Sequence, residues 1–408
     1  MRDLTTFESR LEDAFMRYVA PARTDTDAEA VADAVVRAAH AAQALRHSFP
    51  FRRLVAIGIA AALLAAAVAY VAGSRRQLPP PFGPARNGVL VYGANDLYVR
   101  DSLTGDPRLL VRGGSQAMFS PDGSKLFFVT ADGAGAAVAN ADGSDPRMVY
   151  AGVIVDARWA PDSERLLIVG AAIDDHPAPV AIVRADGSGA QPIDVGTLSV
   201  QSFAWRPPDG AQLLFTGTDA ADNDDLYLIN GDGSGLRPVS RTEHFAGSGQ
   251  WAPDGMTIAV NLPDPNATQP NAGGFVQLIG ADGSGARLLD READPTLNEA
   301  ALAYSPDGAS ILLIRWRDIG TSQIDPRAET WLAIIPADGS GPAREIGLHQ
   351  PGLDAAGGAF WSPDGSQVVT MTSKATEPRT VYSIDVASGT PQRIDWTFVP
   401  PAWQRLAR

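Results

Sequence analysis

Between residues 88 and 408 the chain alternates short apolar runs with clusters of turn residues. Runs such as Leu126-Phe-Phe-Val-Thr130, Leu166-Leu-Ile-Val169, Leu213-Leu-Phe-Thr216, Ile258-Ala-Val260, Ile311-Leu-Leu-Ile314 and Val368-Val-Thr-Met371 are short, rich in β-formers and bounded by Pro, Asp and Gly. That combination predicts strands. Each run follows one phrase: Phe119-Ser-Pro-Asp-Gly-Ser124, Trp159-Ala-Pro-Asp162, Trp205-Arg-Pro-Pro-Asp-Gly210, Trp251-Ala-Pro-Asp-Gly255, Tyr304-Ser-Pro-Asp-Gly308 and Trp361-Ser-Pro-Asp-Gly365. Pro presets φ for the turn and Gly closes it, while the aromatic ends the preceding strand with a large apolar body. With Trp403 as a degenerate last copy, the aromatics stand 40, 46, 46, 53, 57 and 42 residues apart. A period of about 40 to 50 residues is that of propeller blades.

A second phrase follows the third strand of each unit: Asn140-Ala-Asp-Gly-Ser144, Arg184-Ala-Asp-Gly-Ser-Gly189, Asn230-Gly-Asp-Gly-Ser-Gly235, Gly280-Ala-Asp-Gly-Ser-Gly285 and Pro336-Ala-Asp-Gly-Ser-Gly341. Looser copies are Asp101-Ser-Leu-Thr-Gly105 and Asp385-Val-Ala-Ser-Gly389. Asp-Gly suits a tight hairpin, because Gly takes a positive φ. The calcium alternative lacks the full oxygen set and the distal Glu of a metal loop. The first unit has strands near Val89-Leu-Val-Tyr92, Asp96-Leu-Tyr-Val99 and Arg108-Leu-Leu-Val111, with no aromatic strand ahead of them. Phe398-Val-Pro-Pro-Ala-Trp403 supplies it from the far end. The expected fold is therefore an all-β, seven-bladed propeller over residues 88–408 with last-strand closure, which removes exposed sheet edges.

The pattern ahead of residue 88 is helical. Phe7, Leu11, Phe15 and Val19 fall four apart on an amphipathic stretch that Pro21 stops, and a second helix is expected from about Asp25 to Leu45. Residues 1–52 read either as a plain helical hairpin or as a docking module for a cytoplasmic partner. Residues 54–73, from Leu54 to Gly73, carry no charge and are long enough, at about 1.5 Å per residue, to cross a bilayer. This reads as an uncleaved single-pass signal anchor, with Gly58, Ala62 and Ala66 as a small-residue stripe. Arg37, Arg46, Arg52 and Arg53 on one side against Arg75, Arg76 and Arg86 on the other favour a cytoplasmic N-terminus and an extracytoplasmic propeller. Residues 74–87, with Pro79-Pro-Pro81 and Pro84, form a stiff spacer.

Charge narrows the partners. The 408 residues carry a net −14, and those after Arg76 hold 23 basic against 39 acidic side chains. Such a surface repels nucleic-acid phosphates, so no nucleic-acid partner is expected. There is no Cys, hence no disulfide and no thiol chemistry.

These phrases resemble the TolB-type propeller repeat, the WD-like "PD" repeat family of bacterial envelope proteins. The resemblance covers residues 88–408 and implies the fold. Its members include periplasmic partners of envelope complexes, sensor domains and propeller caps of prolyl-oligopeptidase-like enzymes. The chain departs from TolB in its anchor and in lacking a separate N-terminal α/β domain.

Chemistry is sparse. No Gly-x-Ser-x-Gly elbow and no phosphate loop appear. His176, His244 and His349 fall in expected loops of different blades and read as isolated surface histidines, so no metal or cofactor is expected. The loops between second and third strands lengthen from blade 3 onward, and all such loops emerge on one face of a propeller. Their candidate partner-binding residues are Asp174, Asp175 and His176, then Asp222 and Asp224, then Trp316, Arg317, Asp318, Asp325 and Arg327. The expected function is a membrane-anchored, non-catalytic protein-binding or sensing module with partners in the cell envelope. One alternative is a transmembrane regulator of anti-sigma layout, which lacks the zinc-binding His-Cys-Cys signature. The other is a propeller hydrolase or lyase.

Overall fold

The computed structural model divides the chain into Met1–Arg76 and Gln77–Arg408. The structure describes residues 83 and 85–407, except 173–177, 222, 240–247, 264–273, 290–296, 318–328, 352–357, 373–379 and 396–400. The expected helices of residues 1–52, the apolar span 54–73 and most of the spacer lie outside the described residues. Among the described residues no helix is long and apolar enough to cross a membrane.

The described strands form seven four-stranded antiparallel sheets. Blade 1 consists of Ala402–Leu406, Arg86–Tyr92, Asp96–Arg100 and Arg108–Arg112 in that spatial order. Blades 2 to 7 occupy residues 114–151, 154–192, 199–238, 249–288, 297–351 and 359–394. The last strand therefore joins the first blade, as expected, with Leu90 opposite Trp403 and Arg86 opposite Leu406. Its register corrects the expectation in one respect. In blade 2 the aromatic Phe119 ends its strand, whereas Trp403 stands near the start of Ala402–Leu406. No Pro-Asp-Gly follows Trp403, so the strand runs on against Arg86 and Asn87 instead of turning.

The continuous apolar runs exist because both faces of each blade are buried, and the period of two divides each run between two neighbours. Phe127 and Val129 pack with Leu166 and Ile168 of blade 3. The alternate residues Leu126 and Phe128 pack with Val91, Leu97 and Val99 of blade 1. The same division recurs at each junction, ending with Leu90 of blade 1 against Val369, Met371 and Val381 of blade 7. Burying one such large side chain contributes about 1.5–3 kcal/mol. The core is thus a ring of seams, and no blade is independent of its neighbours.

Turn chemistry locks the blades laterally. Ser120 Oγ donates to Asp122 Oδ1 at 2.6 Å and the Ser124 amide donates to the same oxygen at 3.0 Å. Gly123 has φ +71°, and a Cβ there would lie 2.0 Å from the Arg405 carbonyl oxygen of the closing strand. The aromatics also bridge blades: Trp159 Nε1 donates to Met118 O at 3.2 Å, and Trp205 Nε1 to Arg158 O at 3.1 Å. In the second phrase Asp142 accepts from Ser144 Oγ at 2.6 Å, and Asp232 and Asp282 accept from Ser234 and Ser284 in the same way. These carboxylates serve their own turns.

Those bonds hold Asp142, Asp186, Asp232, Asp282 and Asp338 below the ordinary carboxylate value of 3.8, chiefly through the neighbouring serine hydroxyl. At Asp122 and Asp364 burial pushes the other way but is outweighed by hydrogen bonds from the turn. A carboxyl depressed by folding stabilises the fold above its unfolded value and loses that contribution as pH falls through its folded value. Thermal melts by circular dichroism should be nearly flat from about pH 7 to about pH 5 and fall steeply below about pH 4. A transition temperature unchanged to about pH 2 contradicts this reading.

Candidate functional site

Strand direction gives the ring two faces. The Pro-Asp-Gly and Asp-Gly-Ser turns share one of them. The connections from second to third strand, and from each blade to the next, share the other, here the loop face. Of the sequence candidates, Asp174, Asp175, His176, Asp222, Asp318, Asp325 and Arg327 lie outside the described residues. Asp224, Trp316 and Arg317 are described, and all three stand at loop-face strand ends.

Asp224 is not a presented contact residue. It opens the strand Asp224–Asn230 opposite Thr218 and is buried. It accepts a short hydrogen bond from Thr218 Oγ1 and a longer one, at 3.4 Å, from Gln201 Nε2. Gln201 Nε2 also donates to Thr218 Oγ1 at 2.8 Å. Pairing across the strand ends satisfies the carboxylate, so Asp224 closes the blade.

Blade 6 gathers the chemistry instead. Its first two strands, Leu297–Tyr304 and Ser310–Arg317, place Glu299 directly opposite Arg315, and the third places Trp331 opposite Arg315. Arg315 Nη2 and Nε donate to Glu299 Oε2 at 3.1 and 3.2 Å, with both side chains buried. Two residues further along the second strand, the Arg317 guanidinium lies 5.3 Å over the Trp331 ring. The His349 imidazole stacks on Trp331, with centroids 4.4 Å apart and planes at 20°. His349 Nδ1 is 3.2 Å from Glu345 Oε2. Asn298 Oδ1 accepts from the Gly274 amide of blade 5 at 3.2 Å, and a Cβ on Gly274 would lie 3.5 Å from Trp316 Cη2. Trp316 is therefore packed at the blade junction and Arg317 lies over an aromatic of its own sheet.

His349 corrects the reading of isolated loop histidines. It lies within the strand Arg344–Pro351, stacked and oriented. Glu299, Arg315 and Trp331 were missed as well. Their signal was charge placed inside strands: Glu299 amid Asn-Glu-Ala-Ala, and Arg315 directly after four aliphatic residues. A charge on a doubly buried strand needs a partner. The arrangement sets a guanidinium and a carboxylate-oriented imidazole on a buried indole, and the imidazole with its carboxylate is the base-and-orienter half of a proton-transfer site.

No family model matches the chain. A Bacillus subtilis (strain 168) protein called "Uncharacterized peptidase YuxL" is 23% identical over 243 residues, covering 56% of this chain and 32% of the relative. The chain thus spans about a third of the length of that curated relative. Puromycin hydrolase is similar in structure, with a TM-score of 0.55 at 16% identity, over 76% of this chain and 53% of that one. An oligogalacturonate lyase in complex with manganese superposes with a TM-score of 0.52 at 16% identity, over 71% of this chain and 82% of that one. A structure titled "putative TolB" from Agrobacterium tumefaciens and TolB from Acinetobacter baumannii also match, at TM-scores of 0.45 and 0.47. At these identities the structures speak for the propeller fold, and the TolB scores carry no argument for a TolB-like role. The peptidase relative runs against the expectation of a non-catalytic binding or sensing module and corrects it.

Proposed function

We propose that this chain is the propeller of a peptidase-class hydrolase and that its loop face receives the substrate. The similarity to a peptidase across 243 residues carries the proposal. The blade 6 cluster supplies its local chemistry. Trp331 is buried and supports Arg317 from beneath, and the Arg317 guanidinium is a planar cation suited to a peptide carboxylate. Among the described residues His349 is the one histidine, and its contact with Glu345 fixes the ring so that the other nitrogen faces a defined direction. In this reading His349 takes a proton from a water as its oxygen bonds to the amide carbonyl carbon, and returns that proton to the amine that leaves when the C–N bond breaks.

The test is turnover of a panel of short peptidyl-aminomethylcoumarins by the full-length chain. Hydrolysis is expected, with kcat/KM falling by about 10²-fold or more in His349→Ala at unchanged melting temperature. Glu345→Gln should reduce it less, because it only loosens the ring. Failure to cleave any member of the panel sinks the peptidase reading. Full activity in His349→Ala removes the assigned role alone.

A further inference from the structure

On the opposite, turn face one blade junction departs from the others. At five junctions the Asp-Gly-Ser turn sits tightly on the preceding blade. A Cβ on Gly143, Gly187, Gly283 or Gly339 would lie 3.1, 2.9, 2.4 or 2.6 Å from the carbonyl oxygen of Leu110, Met148, Val239 or Leu289. A Cβ on Gly233 would meet Ile193 Cδ1 at 2.8 Å. The looser turn of blade 7 still bonds its neighbour, the Gly347 amide donating to Gly389 O at 2.9 Å. Blade 1 differs. Its turn is Asp101-Ser-Leu-Thr-Gly105, and the atoms nearest a Cβ on Gly105 belong to Ser102 and Asp101 of the same turn. A cavity of about 350 Å³ opens there between blades 7 and 1. That volume falls at the lower end of the roughly 300–1,000 Å³ usual for small-molecule sites.

Its lining has a definite chemistry. Gln367 and Gln392 bring amides, Ser102 and Ser383 hydroxyls, Asp101 a carboxylate and Trp403 an indole. Leu90 and Ile394 add an apolar floor, and Ser383 is itself buried. No Lys or Arg lines the cavity, and its one carboxylate, Asp101, already pairs with Arg108 at 3.5 Å, so the lining holds no free cation for a phosphate or a uronic acid. Amides, hydroxyls and one carboxylate around an aromatic and an apolar floor complement a ring with C–H faces and a hydroxyl rim.

We propose that the cavity between blades 7 and 1 binds a neutral saccharide. The test is saturation-transfer NMR on the full-length chain with maltose, cellobiose and N,N′-diacetylchitobiose, and galacturonic acid as the anionic control. At least one neutral disaccharide should show transfer with a Kd in the millimolar range, and galacturonic acid should bind at least about tenfold more weakly. Gln392→Ala and Ser102→Ala should each weaken binding about fivefold, the effect of one lost hydrogen bond, while leaving the melting temperature unchanged. Absence of transfer from all three neutral sugars, equal binding of galacturonic acid, or unaltered affinity in the Gln392→Ala/Ser102→Ala double variant each overturns the proposal. Peptidase activity is scored separately, so the two readings fail independently.

Discussion

Deleting residues 398–408 should unfold the whole ring, giving insoluble protein or a melting temperature lower by roughly ten degrees or more. The deletion removes Ala402–Leu406, which pairs with Arg86–Tyr92 and completes blade 1. Trp403 leaves the seam it shares with Leu90, Phe360 and Val369. Gln404 Nε2 no longer donates to Gly123 O at 2.7 Å, and Arg405 no longer reaches Gly83 O. Arg86 Nε loses its bond to Ala407 O at 2.8 Å. Each loss is modest, but together they open a ring whose cores all lie between blades, and net stabilities are only about 5–15 kcal/mol. The bared edge of Arg86–Tyr92 is also a template for pairing with other chains. Differential scanning calorimetry checks the prediction, and a synthetic peptide of residues 398–408 should restore part of the lost transition. Trp403→Phe is the mild control, since it keeps the packing and removes an N–H that has no partner. An unchanged transition in the deletion variant means that closure does not carry the stability assigned to it.

What the sequence made legible was whatever repeats. The aromatic-Pro-Asp-Gly and Asp-Gly-Ser phrases are local, because each carboxylate bonds within its own turn, as Asp122 does with Ser120 and Ser124. Blade number and closure followed from counting them. The loop-face site was less legible because it depends on register across strands. Glu299 and Arg315 are 16 residues apart, and only the pairing of two strands shows them to be partners. His349 meets Trp331 across the outer half of the same sheet, where a register shift interrupts the pairing. Asp224 looked like a loop carboxylate, yet its strand begins two residues before Leu226, the first residue of the apolar pattern. The cavity between blades 7 and 1 was foreshadowed by a defect in the repeat, the loose copy at Asp101, whose meaning depended on seeing how the regular copies seat. The helical N-terminal segment and the apolar span 54–73 lie outside the described residues and rest on the sequence alone.

Replacing Arg315 with Leu should cost about 3–5 kcal/mol, far more than the loss of one surface ion pair. The Arg315 and Glu299 side chains are 4% and 7% exposed, so the variant leaves a carboxylate buried without the guanidinium that compensates it. Leu matches the aliphatic run Ile311 to Ile314 that precedes it, which separates the charge effect from any dislike of the strand for a new side chain. The double variant Glu299→Leu/Arg315→Leu removes both charges and should recover most of the loss, because a buried pair is often close to neutral against apolar residues of similar volume. Urea denaturation of the wild type, both single variants and the double gives the coupling energy directly. A single-variant cost below about 1 kcal/mol, or no coupling, shows that the pair is not what holds this corner of blade 6. The same four proteins separate stability from function. Trp331 stands opposite Arg315 and beneath Arg317 and His349. A double variant that regains stability but lowers peptide turnover identifies the pair as the support that positions the Trp331–His349 stack.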